Sequence, residues 1–188
     1  MNQTFEEALV RHCAPTLAGM KPGSLFCYAA PAGEELRRKV GQWHARLRPL
    51  GVSVMLLLER QGSGKSIIYV YRRSQLKRLL AQEGHRGFLA RCGYREGDCG
   101  CLLAQLRARL RTKEQFPHEI GLFLGYPLRD VIGFIENRGQ NFTCCGFWKS
   151  YSDPAQAREC FACYQKCISD YTRMFGQGVP IEELALLA

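Results

Sequence analysis

The sequence predicts an α+β fold of the mixed α/β type, in which several helices pack on a small mixed sheet of about four strands that includes a β-hairpin. Two apolar, β-branched runs, Val52–Glu59 and Ser66–Arg72, flank a Gly62-Ser63-Gly64 turn and indicate the hairpin. Segments of helical period stand on both sides of it. A hairpin excludes a purely parallel sheet, and 188 residues suit a single globular domain over positions 1–188.

The amino-terminal half predicts helices around one strand before the hairpin. Residues 2–12 have apolar residues at helical spacing and predict a short helix. Cys13-Ala14-Pro15 ends this helix, and Pro15 can open a further helical turn. Residues 25–29 predict the first strand. Residues 34–47 predict a basic amphipathic helix, which Pro49 and Gly51 end.

The carboxy-terminal half is predicted to be mainly helical. Helices are expected at 73–82, 85–92 and 98–112, and residues 116–137 predict two helical pieces that Gly125-Tyr126-Pro127 separates. Residues 145–151 alternate in polarity and predict a last strand. Asp153 as the cap, Pro154 in the first position and Gly176 at the end bound a final helix.

Composition and charge narrow the class of protein. The first residues have no secretory signal pattern, and the longest apolar run is too short for a membrane span, so we expect a cytoplasmic protein without a membrane partner. The formal charge of +9 is scattered along the chain, which indicates a solvated surface. Ten cysteines in a reducing compartment favour metal ligation, redox chemistry or packing over disulfides.

Two familiar motifs fail on spacing. Gly64-Lys65-Ser66 resembles a phosphate loop, but Glu59 stands where the first glycine is required, and a strand follows instead of a helix. His118-Glu119 begins like a zinc-protease helix, but Leu122 stands where the second histidine is required. We therefore predict neither a nucleotide site nor a zinc-protease site.

The cysteine pattern favours packing over ligation. Cys160, Cys163 and Cys167 share one helical flank with aromatic residues, and three thiols leave a metal site incomplete. Cys144 and Cys145 are expected on opposite faces of a strand, unless the chain turns at Gly146.

His118 is the most informative polar residue. Pro117 is a natural first helical residue, which places His118 in the first turn, where the positive helix end disfavours an imidazolium. A neutral imidazole can act as a general base or a metal ligand, or it can cap the turn.

Several stretches carry a family resemblance. They read HCAPTLAGMK from His12 to Lys21, IYVYR from Ile68 to Arg72, and FPHEIGLFLGYPLRDVIGFIENRGQNFTCCGFWKSY from Phe116 to Tyr151. With them, nearly the whole chain resembles a bacterial family called domain of unknown function 3793.

What the resemblance implies is a single-domain cytoplasmic protein, found mainly in anaerobic bacteria and in iron-related settings, without an established activity. Ten residues fall on positions that match the family: His12, Cys13, Lys21, Arg72, His118, Glu119, Asn141, Cys144, Cys145 and Lys149.

Three hypotheses of function follow, and whether the protein is an enzyme stays open among them. The first is an accessory protein, metal-binding or redox, that holds iron, an iron cofactor or another thiolate-bound metal through His118, Cys13, Cys144 and Cys145. The second is a thiol enzyme with Cys13 as nucleophile and His118 as base, oriented by Glu119 or Asn141. The third is an anion-binding or nucleic-acid-binding module that uses Lys21, Arg72 and Lys149.

An acidic protein is a candidate partner for the basic chain. Nucleic acid is not expected, because the aromatic residues stand in core-like stripes. Whatever the chemistry, we expect His118, Glu119 and at least one of Cys13, Cys144 and Cys145 to meet in one cleft, because the segment between residues 117 and 145 must return on itself.

Overall fold

The structure is a computed structural model and describes residues 3–29, 33–59, 65–112 and 116–187. Its elements are, in order, α1 (Phe5–Leu17), β1 (Gly23–Ala29), α2 (Glu34–Leu47), the 3-10 helix η1 (Arg48–Leu50), β2 (Val52–Leu58), β3 (Lys65–Arg72), α3 (Arg73–Leu80), α4 (Glu83–Arg91), α5 (Cys99–Thr112), α6 (Ile120–Phe123), α7 (Leu128–Glu136), β4 (Cys144–Cys145), β5 (Lys149–Ser150), α8 (Pro154–Gly176) and α9 (Ile181–Leu186). They belong to two compact units, residues 1–75 with 166–188, and residues 76–165.

The first unit contains an antiparallel sheet of three strands in the order β1-β3-β2. Strands β2 and β3 pair as the predicted hairpin, with Val54 opposite Val70. The turn at residues 62–64 lies outside the described residues. Lys65 is the first residue of β3 and not of a helix, which agrees with the rejection of a phosphate loop.

Helices α1, α2 and α9 pack with this sheet around the core of the first unit. The core side chains include Phe5, Leu9, Cys13, Leu17, Phe26, Leu36, Trp43, Leu47, Val54, Ile68, Val70 and Leu184. The apolar stripe predicted for residues 34–47 is the buried face of α2, so the boundaries and orientation of that helix are confirmed.

The prediction that α1 ends at Cys13 is wrong. The helix continues to Leu17 with Pro15 inside it, although a proline in this position removes one hydrogen bond to a preceding carbonyl. Arg72 compensates at the end of the helix: its Nε donates to the carbonyl of Thr16 at 2.8 Å, and its Nη2 donates to that of Leu17. A contact from a distant strand therefore stabilises an end that local sequence rules place earlier.

The second unit is mainly helical, as predicted. Helices α3, α4 and α5 begin and end within two residues of their expected bounds, and α6 and α7 are the two pieces that Gly125-Tyr126-Pro127 separates. Gly125 has a φ of +77°, which a glycine adopts without strain and which turns the chain between the two helices.

The predicted strand at residues 145–151 is instead two short strands, β4 and β5, paired as their own antiparallel hairpin. The chain turns between them, where Gly146 lies against Phe161 of α8. A Cβ on Gly146 would stand 2.3 Å from that ring, so only glycine fits here. The sheet prediction was wrong for this segment because the close approach of α8 is a tertiary contact.

Helix α8 begins where its sequence signals predicted. The Oδ1 atom of Asp153 accepts hydrogen bonds from the backbone N–H groups of Ala155 at 2.8 Å and Gln156 at 3.2 Å. The helix ends at Gly176.

Candidate functional site

The second unit holds a cavity of about 230 Å³ beside helices α6 and α7 and strand β5. Its surface is mainly apolar, and the lining side chains are Phe116, His118, Ile120, Gly121, Leu124, Tyr126, Asp130, Val131, Phe134, Trp148 and Lys149. Concave, apolar surfaces with a few polar groups are typical of small-molecule sites. We therefore take this cavity as the candidate site.

One wall of the cavity is the indole ring of Trp148. The ring stacks on Tyr126 with 5.2 Å between centroids, and its edge-to-face contact with Phe161 has centroids 4.5 Å apart. Its Nε1 donates a 2.7 Å hydrogen bond to Oδ2 of Asp130. Ring contacts and a charge-assisted hydrogen bond together fix the orientation of this wall.

Asp130, on α7, is a buried carboxylate that holds the segment after β4 in place. Its Oδ1 accepts hydrogen bonds from the backbone N–H groups of Tyr151 and Ser152, at 2.8 and 3.0 Å, and from the hydroxyls of Ser150 and Ser152. Burial alone would raise the pKa of Asp130, but these bonds and the one from Trp148 outweigh it and lower the pKa below its usual value. The carboxylate is therefore ionised at neutral pH, and its role is structural.

The polar edge of the cavity consists of His118 and Lys149. The imidazole of His118 makes an edge-to-face contact with Phe134, with centroids 4.9 Å apart. The Nζ of Lys149 donates to the carbonyl of Gly139 at 2.7 Å and lies 4.7 Å from the ring centroid of Phe142. An ammonium carries three donors, so Lys149 is positioned by Gly139 and keeps capacity for an anion.

The loop that positions Lys149 has an unusual backbone. Arg138, Gly139 and Asn141 all have positive φ, at 52°, 73° and 57°. A Cβ on Gly139 would stand 3.2 Å from the ring of Phe134. Non-glycine residues in this region are uncommon and carry a small energetic cost, so the loop is held by its surroundings.

Glu119 lies beside His118 in sequence but has different contacts. Its buried Oε1 accepts hydrogen bonds from Arg109 Nη1 at 3.3 Å and from the Tyr94 hydroxyl at 3.4 Å. The guanidinium of Arg109 also lies 4.2 Å from the Tyr94 ring centroid. His118 itself lies in a turn before α6 and not in a helical turn as expected.

We expected His118 to lie in one cleft with a cysteine. Among the described residues, the cavity that His118 lines has neither Cys144 nor Cys145 in its lining. Cys144 is half-buried and Cys145 exposed, and they pair with Ser150 and Lys149 in the short hairpin. Asn141 is exposed, and its Nδ2 donates to Oδ1 of Asn137 at 3.4 Å.

The other predicted site residues lie in the first unit. Cys13 is fully buried, and burial raises the pKa of its thiol far above the usual range, an effect that the charge of Lys21 offsets only in part. Lys21 is itself buried. Arg72 donates to the carbonyls of Thr16, Leu17 and Ala185, so its guanidinium joins the ends of α1 and α9.

Sequence reasoning missed the residues that shape the cavity, namely Tyr126, Asp130, Phe134 and Trp148. Two signals point to them. Eight of the twenty aromatic residues stand between positions 116 and 151, and Asp130 interrupts the apolar stripe of a short helix, where a carboxylate must find buried partners.

Within the described ranges, no group of three or more His, Cys, Asp or Glu side chains is arranged to hold a metal ion. None of the helices in that part of the chain combines the length and the apolarity that a membrane span requires.

Fold and site define an α+β protein with an apolar cavity whose edge carries a histidine and a lysine. The chain belongs to the family described as protein of unknown function (DUF3793), which it matches over residues 9–185. No curated protein and no solved structure shows significant similarity to it.

Proposed function

We propose that the protein binds a small molecule that has a flat apolar body and one anionic group. The apolar body occupies the cavity of the second unit, and the anion lies at its edge beside His118 and Lys149. The observation that carries the proposal is the pairing of an apolar cavity with these two side chains in one lining.

The apolar lining supplies most of the binding free energy. Burial of apolar ligand surface against Ile120, Leu124 and Val131 contributes about 25 cal/mol per Å², and the rings of Phe134 and Trp148 favour a flat group. The volume of about 230 Å³ lies below the roughly 300–1,000 Å³ of pockets for drug-sized ligands. The ligand is therefore small.

The polar edge selects for an anion. Lys149 offers a positive charge that Gly139 holds at the cavity, while the carboxylate of Asp130 is already engaged by donors of the protein itself. A charge-assisted hydrogen bond to Lys149 favours a carboxylate or phosphate over a neutral group of the same shape.

This proposal extends the anion-binding hypothesis and retains Lys149 from it. Lys21 and Arg72 have no part in it, since Arg72 binds backbone carbonyls.

A thiolate-bound metal stays a prediction, tested by elemental analysis and a visible spectrum of protein purified without oxygen. Stoichiometric metal that is lost in the His118→Ala variant would support the metal hypothesis over this one.

The proposal is tested by fluorescence with Trp148 as reporter. The chain has two tryptophans, and the Trp43→Phe variant retains only Trp148, which lies in the cavity wall. In that variant 3-phenylpropanoate should change the emission in a saturable manner, with a Kd of about 0.1–1 mM for a ligand of this size. The neutral 3-phenylpropanamide should bind more weakly.

The residue-level test replaces the charge at the edge. Lys149→Met should weaken binding of 3-phenylpropanoate by about 10- to 100-fold, the range for one hydrogen bond to a charged group. It should leave 3-phenylpropanamide unaffected. Lys77→Met, which removes an exposed lysine elsewhere in the second unit, is the matched control. Equal affinity for acid and amide would contradict an anion-selective site.

A further inference from the structure

Aromatic and basic side chains alternate in a continuous series at the edge of the cavity. The series runs Phe116, His118, Phe134, Lys149, Phe142. The ring centroids of Phe116 and His118 are 6.5 Å apart and those of His118 and Phe134 are 4.9 Å apart. The Nζ of Lys149 lies 6.0 Å from the centroid of Phe134 and 4.7 Å from that of Phe142. We call these five residues the aromatic-basic strip.

Both ends of the strip are open to solvent. Phe116 is 42% exposed and Phe142 is 40% exposed, although apolar side chains of this size are usually buried. The sequence led us to expect the aromatic residues as a group in core-like stripes, and the structure places these two at the surface. Two exposed rings at the ends of one series of aromatic and basic side chains mark a candidate binding surface.

The electrostatics of the second unit favour a negatively charged partner there. Among the described residues of this unit, the buried carboxylates are Glu119 and Asp130, and each is engaged by donors inside the protein. The whole chain carries a formal charge of +9 and has an isoelectric point near 9.2. A polyanion is therefore attracted to the protein. Lys149 and His118, which lie between aromatic rings, can contact its negatively charged groups.

We propose that the aromatic-basic strip binds single-stranded nucleic acid, with one base in the cavity and neighbouring bases against Phe116 and Phe142. The inference rests on the proposed function and names its ligand: the flat body is a base, whose faces contact the apolar lining, and the anion is a phosphate held by Lys149 and His118. Bases of any sequence stack on aromatic side chains, so little sequence preference is expected.

A single strand fits the strip better than a duplex does. The faces of bases in a duplex are stacked on each other and cannot contact Phe116 or Phe142. The cavity is concave and apolar, which suits a base that has left its stack and not a continuous backbone groove. An acidic peptide would satisfy Lys149 but would leave the exposed rings without planar partners.

The test measures fluorescence anisotropy of a fluorescein-labelled 12-nucleotide oligouridylate. Phe142→Ala and Phe116→Ala should each weaken binding by roughly 5- to 100-fold, the range for loss of one base–aromatic stack. Lys149→Met should reduce the slope of log affinity against log salt by about 0.7, the value for one phosphate contact on a single strand. A 12-base-pair duplex should bind more weakly than the single strand.

Two control variants distinguish binding at the aromatic-basic strip from nonspecific attraction to the protein. Lys77→Met removes a positive charge outside the strip, and Leu187→Ala removes an exposed apolar side chain in the first unit. Neither should change stacking-dependent affinity. If Lys77→Met weakens binding as much as Lys149→Met, and both phenylalanine variants bind normally, the interaction is nonspecific charge attraction and the inference is overturned.

The outcomes for the two proposals are separable. Saturable binding of 3-phenylpropanoate in the absence of oligouridylate binding would leave the proposed function standing and refute this inference. Failure of both ligands to bind would refute both. An oligonucleotide that competes with 3-phenylpropanoate for the Trp148 signal would support both at the same cavity.

Discussion

The indole N–H of Trp148 donates a 2.7 Å hydrogen bond to the carboxylate of Asp130, which joins the residue before β5 to helix α7. The same carboxylate accepts from the backbone of Tyr151 and Ser152. One buried charge thus holds both the wall of the cavity and the start of the segment that leads into α8. The shape of the site depends on this carboxylate.

Replacing Asp130 should destabilise the protein strongly. Asp130→Asn keeps the size of the side chain but replaces one accepting oxygen with a donor, so N–H or hydroxyl groups that now bind Asp130 lose their acceptor. The free energy of unfolding should fall by about 2–4 kcal/mol, the range for a broken buried network. Urea unfolding followed by circular dichroism measures this loss.

Asp153→Asn is the matched control for that experiment. Asp153 caps α8 through its Oδ1, and asparagine is an equally good cap. Its effect on the free energy of unfolding should stay below about 0.5 kcal/mol. If the two variants lose similar amounts, Asp130 is not the anchor that its contacts indicate.

The difference between wild type and Asp130→Asn should depend on pH. Because the folded-state pKa of Asp130 is lowered, its charge stabilises the folded state at pH values above the unfolded pKa of 3.8, and the contribution is lost as the pH falls through the folded value. The difference in unfolding free energy should therefore be constant from pH 7 to 5 and shrink below about pH 4. A constant difference down to pH 2 would show that the pKa of Asp130 is the same in the folded and unfolded protein, and that its contacts do not lower it.

The cysteines should separate by reactivity with a disulfide reagent. Cys27, Cys101, Cys145 and Cys163 are exposed and should react first, while Cys13 and Cys167 are buried. Burial raises the pKa of Cys167 to about 11 and that of Cys13 further, so neither supplies a thiolate at pH 8. Ellman's reagent should therefore show a fast phase of four thiols in the native protein.

Single replacements assign the phases. Cys27→Ala should remove one thiol from the fast phase, and Cys13→Ala should leave that phase unchanged. A fast phase that loses one thiol in Cys13→Ala would revive the hypothesis of Cys13 as a nucleophile, because a reactive thiol there requires an accessible thiolate.

Local signals in the sequence predicted much of the fold. Helix α2, the β2–β3 hairpin and the start of α8 follow from apolar period, β-branched runs and a capping aspartate, each of which acts within a few residues. Helix α1 was predicted to end too early because Arg72, which binds its last carbonyls, stands 55 residues away. Contacts of that range leave no local pattern.

The candidate site was predicted less completely, for the same physical reason. His118 and Lys149 were identified as polar residues, and both line the cavity. The contacts of Asp130 with Trp148 and Tyr151, which span 18 and 21 residues, set the shape of the cavity and depend on tertiary packing. Cys13 was predicted from its chemistry, and burial is what separates a reactive thiol from a packed one.

The most direct test of a ligand cavity beside Trp148 is a two-dimensional ¹H–¹⁵N NMR titration of the indole N–H signals. The protein has two such signals, and Trp43→Phe assigns them. Saturating 3-phenylpropanoate should shift the Trp148 signal along a binding curve and leave the Trp43 signal in place, because only Trp148 lines the cavity. Equal shifts of both signals, or no shift of Trp148 at saturating ligand, would contradict the proposal that this cavity is the binding site.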